Sequence, residues 1–458
     1  MQLATLPTAP AAPEPPFVPG LPILGNTFQL KDPTGVPTAF MVNAAREYGD
    51  VVGLTAAGTR IYLLSHPDLV HEVLVERVNE FHKPIVTSER PQTLDRFLGE
   101  GILTADHAAW RPQRKLIQPL MHTKHIESYA TTMTHFGEKL VASWTEGEVR
   151  NIHADMMQVT LWIISETMFG TESTHTKDLE HLARIAQHIA ISDTMMPLPT
   201  ILSGGRDRQA AEINTKLTEL VDSLLDQRET GDRTDRSDLL SLLLNTVDEN
   251  GQPASREFVQ DNILTLFFAG HETTANTLTW TLYYLDQHPE VRARLIAELD
   301  AVLAGRTPTL ADLKQLPYTL QVIKETMRIE PTVSSVPRYI TEDLELGGML
   351  LKGHSTVMLP IYTLHHDPRW WTEPERFDPD RFSAENEPKI PKYAYLPFGG
   401  GPRVCIGNHF ALMEAQLLLA IIAGRYELHL EPGTDATPLR QITTMPQHEL
   451  YMRVHQRA

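Results

Sequence analysis

The chain has 458 residues, with 58 acidic and 40 basic side chains and a formal net charge of −18. This charge disfavours a general nucleic-acid binder, which needs a basic face, although it leaves room for a local basic patch. A hydrophobic content of 41% predicts a globular core, and no run approaches the roughly 18 apolar residues that span a bilayer. We therefore expect a cytoplasmic protein with no membrane anchor and no nucleic-acid partner.

The N-terminal hundred residues mix an arm, helices and a hairpin. Residues 1–16 are rich in proline and alanine and predict a flexible arm, without the charged start or apolar stretch of a signal peptide. Residues 83–105 have no clear period and predict a loop. Between these two segments the patterns predict helices over residues 37–48 and 67–78 and hairpin strands over 51–54 and 60–64.

Trp110 and Arg114 lie four apart within a helical pattern that covers residues 106–121. On a helix they share one face. Such a pair is usually an ordinary surface contact, but a guanidinium also suits a bound carboxylate, because its donors are planar and paired. His107, three residues before Trp110, is a further candidate donor to such a group.

The middle of the chain, residues 123–247, is largely helical in pattern, with breaks near Gly147, at 170–173 and at 197–205. The apolar, irregular stretch at 195–199 holds two methionines and two prolines, which predict either packing filler or an adaptable roof over a ligand. Residues 228–238 are strongly charged and predict a solvated loop.

A long helix is predicted from Ser255, a good N-cap residue, to about residue 287, before Pro289. It is apolar on nearly all sides, so we expect it at the centre of the protein. Its middle reads Ala-Gly-His-Glu-Thr-Thr over residues 269–274 and places a glycine and an acid where both cost free energy. Such a local conflict inside a strong element predicts a functional site.

Each residue of that stretch suggests a chemical role. Ala269 and Gly270 leave room for a flat ligand, and Glu272 can carry protons. Thr273 can hydrogen-bond to the Ala269 carbonyl oxygen, or release it and bind water. His271 is read as packing.

Further helices are predicted over residues 290–303 and 318–329. The second contains Glu325 and Arg328, whose spacing alone is commonplace on a surface helix. The remaining pattern is of short strands, over residues 339–360, 426–430 and 449–454, with Thr443, Thr444 and Met445 in a turn between the last two.

Cys405 is the only cysteine in the chain, so the thiol is either inert packing or a reactive or metal-binding group. It lies in Phe-Gly-Gly-Gly-Pro-Arg-Val-Cys-Ile-Gly, residues 398–407, where glycines free the backbone and Arg403 adds a positive charge. A helical pattern follows, and backbone N–H groups and a helix N-terminus both favour a thiolate.

Taken together, these motifs resemble those of the cytochrome P450 monooxygenases, from about residue 15 to the C-terminus. The resemblance implies a mainly α (α+β) fold, with a large helical part and a smaller β-rich part near the N-terminus. It implies one haem-thiolate monooxygenase domain over residues 17–458, preceded by the arm at 1–16.

The resemblance also implies site residues. Cys405 would be the axial ligand of haem b, and Glu272 with Thr273 would manage protons during O2 activation. The remaining haem contacts would be Trp110, Arg114, His107, Arg338 and Arg403 at the propionates, with Ala269, Gly270, Phe398, Gly399 and Gly407 around the ring. The residues expected to touch substrate are Val333, Ser334, Val336 and Thr444.

A third implied group is structural. Glu325 and Arg328 would form a Glu/Arg/Arg triad that braces the cysteine loop. We take Arg381 as its third member, with Arg376 as the alternative.

The expected reaction inserts one oxygen atom of O2 into an apolar substrate, by hydroxylation or epoxidation. No flavin or iron–sulfur segment follows the domain, so we expect a separate electron donor, a ferredoxin or a flavodoxin or flavoprotein reductase. A basic patch of Arg111, Lys115 and Lys124 would dock it onto a monomer. The alternatives are a peroxide-dependent or isomerising haem-thiolate enzyme and a haem-based sensor.

Overall fold

The computed structural model describes residues 12–56, 58–84, 94–170, 174–195, 204–230, 238–247 and 251–457. Most of the predicted arm, part of the loop at 83–105, the stretch at 196–199 and the centre of the charged loop at 228–238 lie outside these residues. Within the described part of the chain, none of the helices combines the length and the apolarity that a bilayer span requires.

Helices make up most of the described chain. They are α1 Thr38–Tyr48, α2 Pro67–His71, α3 Asp95–Leu98, α4 His107–Ile117, α5 Thr123–Ser128, α6 Ala130–Val141, α7 Ile152–Phe169, α8 Thr174–Met195, α9 Gly204–Thr230, α10 Leu239–Leu244, α11 Arg256–Gln287, α12 Pro289–Leu303, α13 Pro317–Ile329, α14 Ile361–His365 and α15 Asn408–Arg425.

The strands are short. They are β1 Val51–Ala56, β2 Thr59–Leu64, β3 Val149–Asn151, β4 Val336–Ile340, β5 Leu344–Leu346, β6 Met349–Leu351, β7 Ser355–Leu359, β8 Tyr426–Leu430, β9 Pro438–Arg440, β10 Thr444–Pro446 and β11 Tyr451–Gln456.

The central element is α11, which begins where Ser255 Oγ accepts a hydrogen bond from the Phe258 backbone N–H at 3.1 Å. Its side chains are buried over most of its length, because α7, α13 and α15 all pack against it. An apolar helix surrounded in this way gains free energy on every face. The sequence prediction of a buried central helix ending near residue 287 is confirmed.

The main sheet joins distant parts of the chain in the order β1-β2-β7-β4. β1 and β2 form the predicted antiparallel hairpin, and β2 then pairs in parallel with β7, with Ile61 opposite Thr356. The β-rich part is therefore not purely N-terminal, since half of its strands come from residues 336–359. A second sheet has the order β3-β11-β8.

Two local predictions were wrong in detail. The helix expected over residues 67–78 is α-helical only to His71 and continues as a wider π-helical turn over Glu72–Glu76. The turn expected at residues 443–445 contains a strand, because Thr444 begins β10 and pairs with Arg440 of β9.

Candidate active site

A cavity of about 370 Å³ separates α11 from the loop that carries Cys405. Apolar side chains from α7, α11, α13 and the strands line much of it, together with the glycines of the cysteine loop. The predicted site residues in its lining are Trp110, Arg114, Ala269, Gly270, Thr273, Val333, Val336, Arg338, Phe398, Gly399, Arg403, Cys405 and Gly407.

The cysteine loop has a backbone that favours glycine at two positions. Gly399 and Gly401 have φ of 70° and 66°, in the left-handed region that side chains disfavour. A Cβ at Gly401 would also lie 2.0 Å from the Leu74 carbonyl oxygen. The loop closes where the Cys405 backbone N–H donates to the Phe398 carbonyl oxygen at 2.9 Å, so the sulfur is held in the cavity wall just before α15.

Cys405 is exposed because it faces the cavity, yet the surrounding protein desolvates the sulfur. This burial raises the pKa of the thiol, and the Gly407 backbone N–H and the Arg114 charge only partly oppose it. The Gly407 N–H thus favours the thiolate, as expected for this loop, but the burial of the sulfur outweighs it. A metal cation bound to the sulfur would supply the missing positive charge.

One edge of the cavity carries a cluster of cationic side chains. Arg114 Nη1 donates to the Val404 carbonyl oxygen at 2.9 Å, and the Arg403 guanidinium lies 4.6 Å from the centre of the Trp110 ring. Arg338, which is 6% exposed, joins them from β4, and Lys83 joins them from the segment after α2.

The charges of this cationic cluster are crowded. Burial and the positive charges of Arg338 and Arg403 lower the pKa of Lys83 to about 7, although Asp106 opposes them. Burial and Arg403 likewise lower the pKa of Arg338 to about 10, again against Asp106. Among the described residues, Asp106 is thus the carboxylate that faces these cations, so a bound anion would relieve their repulsion.

The donor set fits the haem that the sequence motifs imply. A sulfur ligand stands in one wall, an apolar helix forms the opposite wall, and the cationic cluster at the edge suits two propionate carboxylates. Lys83 was missed from the sequence, because an isolated lysine in an irregular segment carries no spacing signal.

His107 lies outside the cavity lining. Its ring packs edge-on against His82, with 4.7 Å between centroids, and its Nε2 is 3.7 Å from Asp106 Oδ1. Burial lowers the pKa of His107. The structure thus places this predicted propionate donor behind Asp106 rather than at the cavity.

The wall opposite Cys405 is formed by the middle of α11. Ala269, Gly270 and Thr273 all line the cavity, and Thr273 Oγ1 donates to the Ala269 carbonyl oxygen at 2.9 Å. A Cβ at Gly270 would lie 2.8 Å from Ile164 Cδ1. This glycine therefore also permits the close approach of α7, a reason that the sequence did not indicate.

Glu272 points away from the cavity. One carboxylate oxygen accepts from Gln187 Nε2 of α8 at 2.6 Å, and the other accepts from the Thr443 hydroxyl. Burial lowers the pKa of neighbouring His153 on α7, and the charge of Glu272 partly opposes this shift. The two residues of the predicted acid–alcohol pair thus lie on different sides of α11, and only Thr273 faces the cavity.

Two of the four predicted substrate contacts line the cavity and two do not. Val333 and Val336 line the cavity, whereas Ser334 and Thr444 do not. Ser334 is buried behind it, and its carbonyl oxygen accepts from the Tyr362 backbone N–H at 3.0 Å. Thr444 is also buried. Its Oγ1 donates to the Pro331 carbonyl oxygen at 2.8 Å, so the hydroxyl points to the backbone of the segment that lines the cavity.

The Glu/Arg cluster lies behind the cysteine loop. Arg328 and Glu325 are fully buried and form a bidentate pair at 2.7 and 2.8 Å. Arg381 Nε approaches Glu325 at 3.4 Å. The Arg376 side chain is 62% exposed and pairs with Glu373, so only its carbonyl oxygen reaches the cluster, accepting from Arg328 at 3.2 Å.

His365, which the sequence analysis missed, connects this cluster to the cysteine loop. Its Nε2 accepts from the Leu396 backbone N–H at 2.9 Å, and its Nδ1 donates to the Arg328 carbonyl oxygen at 3.1 Å. Burial lowers the pKa of His365 well below its ordinary value, so the neutral ring keeps this bridge. A lone histidine at a helix end gave no sequence signal.

Comparisons with known proteins agree with this site. The family model for cytochrome P450 matches residues 15–452. The chain is 35% identical to cyclooctatin synthase of Streptomyces melanosporofaciens, over 93% of this chain and 92% of that one. It is 33% identical to cyclooctat-9-en-7-ol 5-monooxygenase of the same organism, over 90% and 89%.

A solved structure gives the same result. The haem domain of cytochrome P450DA superposes with a TM-score of 0.89 at 27% identity, over 98% of both chains. With the family model covering nearly the whole sequence, the chain belongs to the cytochrome P450 family and is a haem-dependent monooxygenase that uses O2.

Proposed function

We propose that the protein hydroxylates or epoxidises an apolar, terpene-like substrate in the cavity, with haem b ligated by Cys405. The observation that carries the proposal is the placement of the sulfur, the cationic cluster and the Thr273 wall around one cavity. When bound, the haem supplies the redox chemistry that activates O2. A haem that is bound without thioether bonds, such as haem b, leaves the single cysteine free to ligate the iron.

The protein residues bind and orient the cofactor. Arg114, Arg338, Arg403 and Lys83 would neutralise the propionates at the cationic edge, where Trp110 also lines the cavity. The two faces of the ring would be held by two other groups of lining residues, Ala269 and Gly270 on α11 and Phe398, Gly399 and Gly407 in the cysteine loop. The Glu325–Arg328–Arg381 cluster is the structural triad that holds the loop, through His365.

Residues of α11 carry out proton transfer in this proposal. The Thr273 hydroxyl proton is engaged by the Ala269 carbonyl oxygen, so its lone pairs remain to accept a hydrogen bond inside the cavity. Glu272, one residue earlier, keeps a carboxylate on the α8 side, where two donors hold it. We propose that Glu272 takes up protons there and that Thr273 positions the proton acceptor in the cavity.

The substrate class is inferred from the lining and from a relative. The wall away from the cationic edge is mostly apolar, including Leu103, Ile164, Val333 and Val336, and would desolvate a hydrocarbon skeleton. One relative is named for an unsaturated cyclic alcohol, which fits such a pocket.

Electrons come from a separate acidic protein, a ferredoxin or flavodoxin, in this proposal. Arg111 and Lys115 are exposed on α4, and Lys124 is exposed on α5. Arg114, on the inner face of α4, contacts the residue before Cys405. The basic patch therefore lies on the cysteine side, where a donor would be near the haem. The sole cysteine also suits a reducing compartment such as the cytoplasm.

The decisive experiment is a spectrum of the reduced, carbon monoxide-treated protein. The wild type is expected to show the Soret band of a thiolate-ligated haem, and Cys405→Ala is expected to lose that band. Circular dichroism of the variant controls for folding. An unchanged band in Cys405→Ala would reject the ligand assignment, and no uptake of oxygen-18 from labelled O2 into product would reject the monooxygenase reaction with this substrate class.

A further inference from the structure

Three threonines interrupt the apolar part of the cavity wall in one connected chain. Thr277 Oγ1 donates to the Thr273 carbonyl oxygen at 3.0 Å, and it also lies 3.0 Å from Thr332 Oγ1. All three residues line the cavity. The chain links α11 to the segment after α13, across the part of the wall that also carries Val333.

The number of protons fixes the direction of this chain. A threonine hydroxyl has one proton to donate. The Thr277 proton goes to the Thr273 carbonyl oxygen, so Thr332 must be the donor in the contact between the two hydroxyls. With its proton engaged, Thr332 Oγ1 offers only lone pairs, and within the described chain no protein donor is recorded for them.

The hydroxyl groups of the other lining threonines are less suited to bind a ligand. Thr167 donates to the Ile163 carbonyl oxygen of its own helix at 2.8 Å and is 4% exposed. The Oγ1 atoms of Thr265 and Thr274 are buried away from the cavity surface. Thr332, in contrast, is half-buried and lines the cavity.

Thr332 is also held rigidly. Its carbonyl oxygen accepts from the Thr444 backbone N–H at 2.8 Å, and Thr444 Oγ1 donates to the Pro331 carbonyl oxygen at 2.8 Å. Thr444 is fixed in turn by Trp280 Nε1 of α11, at 3.3 Å. A polar atom held in this way loses little entropy on binding a ligand, which makes it a selective contact.

We propose that Thr332, oriented by Thr277, is a specificity-determining acceptor for a hydroxyl group on an otherwise hydrocarbon substrate. The inference rests on the proposed function, because it assumes that the cavity holds the substrate. An alcohol can donate to Thr332 Oγ1, whereas a ketone offers only acceptors and a hydrocarbon offers neither. The natural substrate is then an alcohol that an earlier reaction has already oxygenated or hydrated.

The test uses a matched set of probes with the haem-loaded enzyme: cyclododecanol, cyclododecanone and cyclododecane. Dissociation constants are measured from the shift of the Soret band on binding. The ratio of alcohol affinity to ketone affinity is expected to fall roughly 3- to 10-fold in Thr332→Val, the range for loss of one hydrogen bond. Thr332→Ser should restore the ratio, and cyclododecane affinity should change little in either variant.

Thr167→Val is the matched control, since it removes a lining hydroxyl that is already engaged within α7, and the ratio should stay at the wild-type value. If Thr332→Val leaves the ratio unchanged, or lowers affinity for all three probes equally, the inference is overturned while the proposed function stands. If none of the three probes binds the wild type, the proposed apolar substrate class fails, and this inference fails with it.

Discussion

Glu414 is a buried acid that the proposed chemistry does not use. It lies on α15, is 1% exposed, and its Oε2 makes no hydrogen bond with the described residues. Burial raises its pKa to about 8, and Thr274 on α11 opposes this shift. The side chain is therefore mostly neutral at pH 7, because ionisation is costly in this buried position.

Because this pKa is raised, the free energy of unfolding should fall as the pH rises. The unfolded chain releases the proton near the ordinary value of 4.5, whereas the folded chain keeps it to about 8. Between these values the wild type should lose about 1.4 kcal/mol of unfolding free energy per pH unit relative to Glu414→Gln. Above pH 8 the difference should level off.

Chemical denaturation followed by circular dichroism at pH 5.5, 6.5 and 7.5 measures this slope. Glu385→Gln is a control at an exposed acid that pairs with a lysine, Lys389, and its pH profile should parallel that of the wild type in this range. Parallel profiles for Glu414→Gln and the wild type would show that the carboxyl ionises normally.

At the scale of elements, the Glu325–Arg328 pair joins α13 to the segment before the cysteine loop. Besides the bidentate pair, Arg328 Nη1 donates to the His365 carbonyl oxygen at 2.8 Å, and Glu325 Oε1 accepts from the Asp378 backbone N–H at 2.8 Å. One ion pair thus satisfies backbone groups from α14 and from the loop after it. Breaking it affects several elements at once.

Arg328→Ala should destabilise the protein by about 3–5 kcal/mol, because it leaves the Glu325 carboxylate buried and unpaired. Arg376→Ala, which removes an exposed side chain of the same type, should cost less than about 0.5 kcal/mol. Thermal unfolding and the haem content of purified protein measure both effects. Equal losses of stability in the two variants would contradict this structure, in which the Arg328 side chain lies in the cluster and the Arg376 side chain lies at the surface.

At the scale of the whole molecule, the net charge of −18 opposes the binding of an acidic electron donor. The proposed basic patch of Arg111, Lys115 and Lys124 would have to overcome this repulsion locally. Charges near a docking site act mainly on the association rate, and salt screens them.

Reduction of the haem by an acidic ferredoxin should therefore slow roughly 10-fold at low ionic strength in the triple alanine variant at these three positions. The difference from the wild type should shrink as salt is added. Stopped-flow absorbance measures the rate. Lys216→Ala, at an exposed position on α9, a helix that packs against α8, is the control and should be reduced at the wild-type rate. An unchanged rate in the triple variant would exclude this docking surface.

Local patterns predicted a large part of this molecule. The Ser255 cap and the apolar run after it predict α11, because capping and helical periodicity act within a few residues. The Phe398–Gly407 stretch predicts a tight loop around the sole cysteine for the same reason, since the left-handed conformations of Gly399 and Gly401 depend on residue type.

Sequence by itself thus determined the helical class, the central helix and the family-specific cysteine loop. Only the tertiary structure decided which side chains meet: Lys83 at the cationic edge, Arg381 rather than the Arg376 side chain at Glu325, and Glu272 on the α8 side of α11. These contacts join residues far apart in the chain and depend on which way each side chain turns. Neither the long-range contacts nor the side-chain orientations give a periodic signal in the sequence, because packing and desolvation select them after the elements come together.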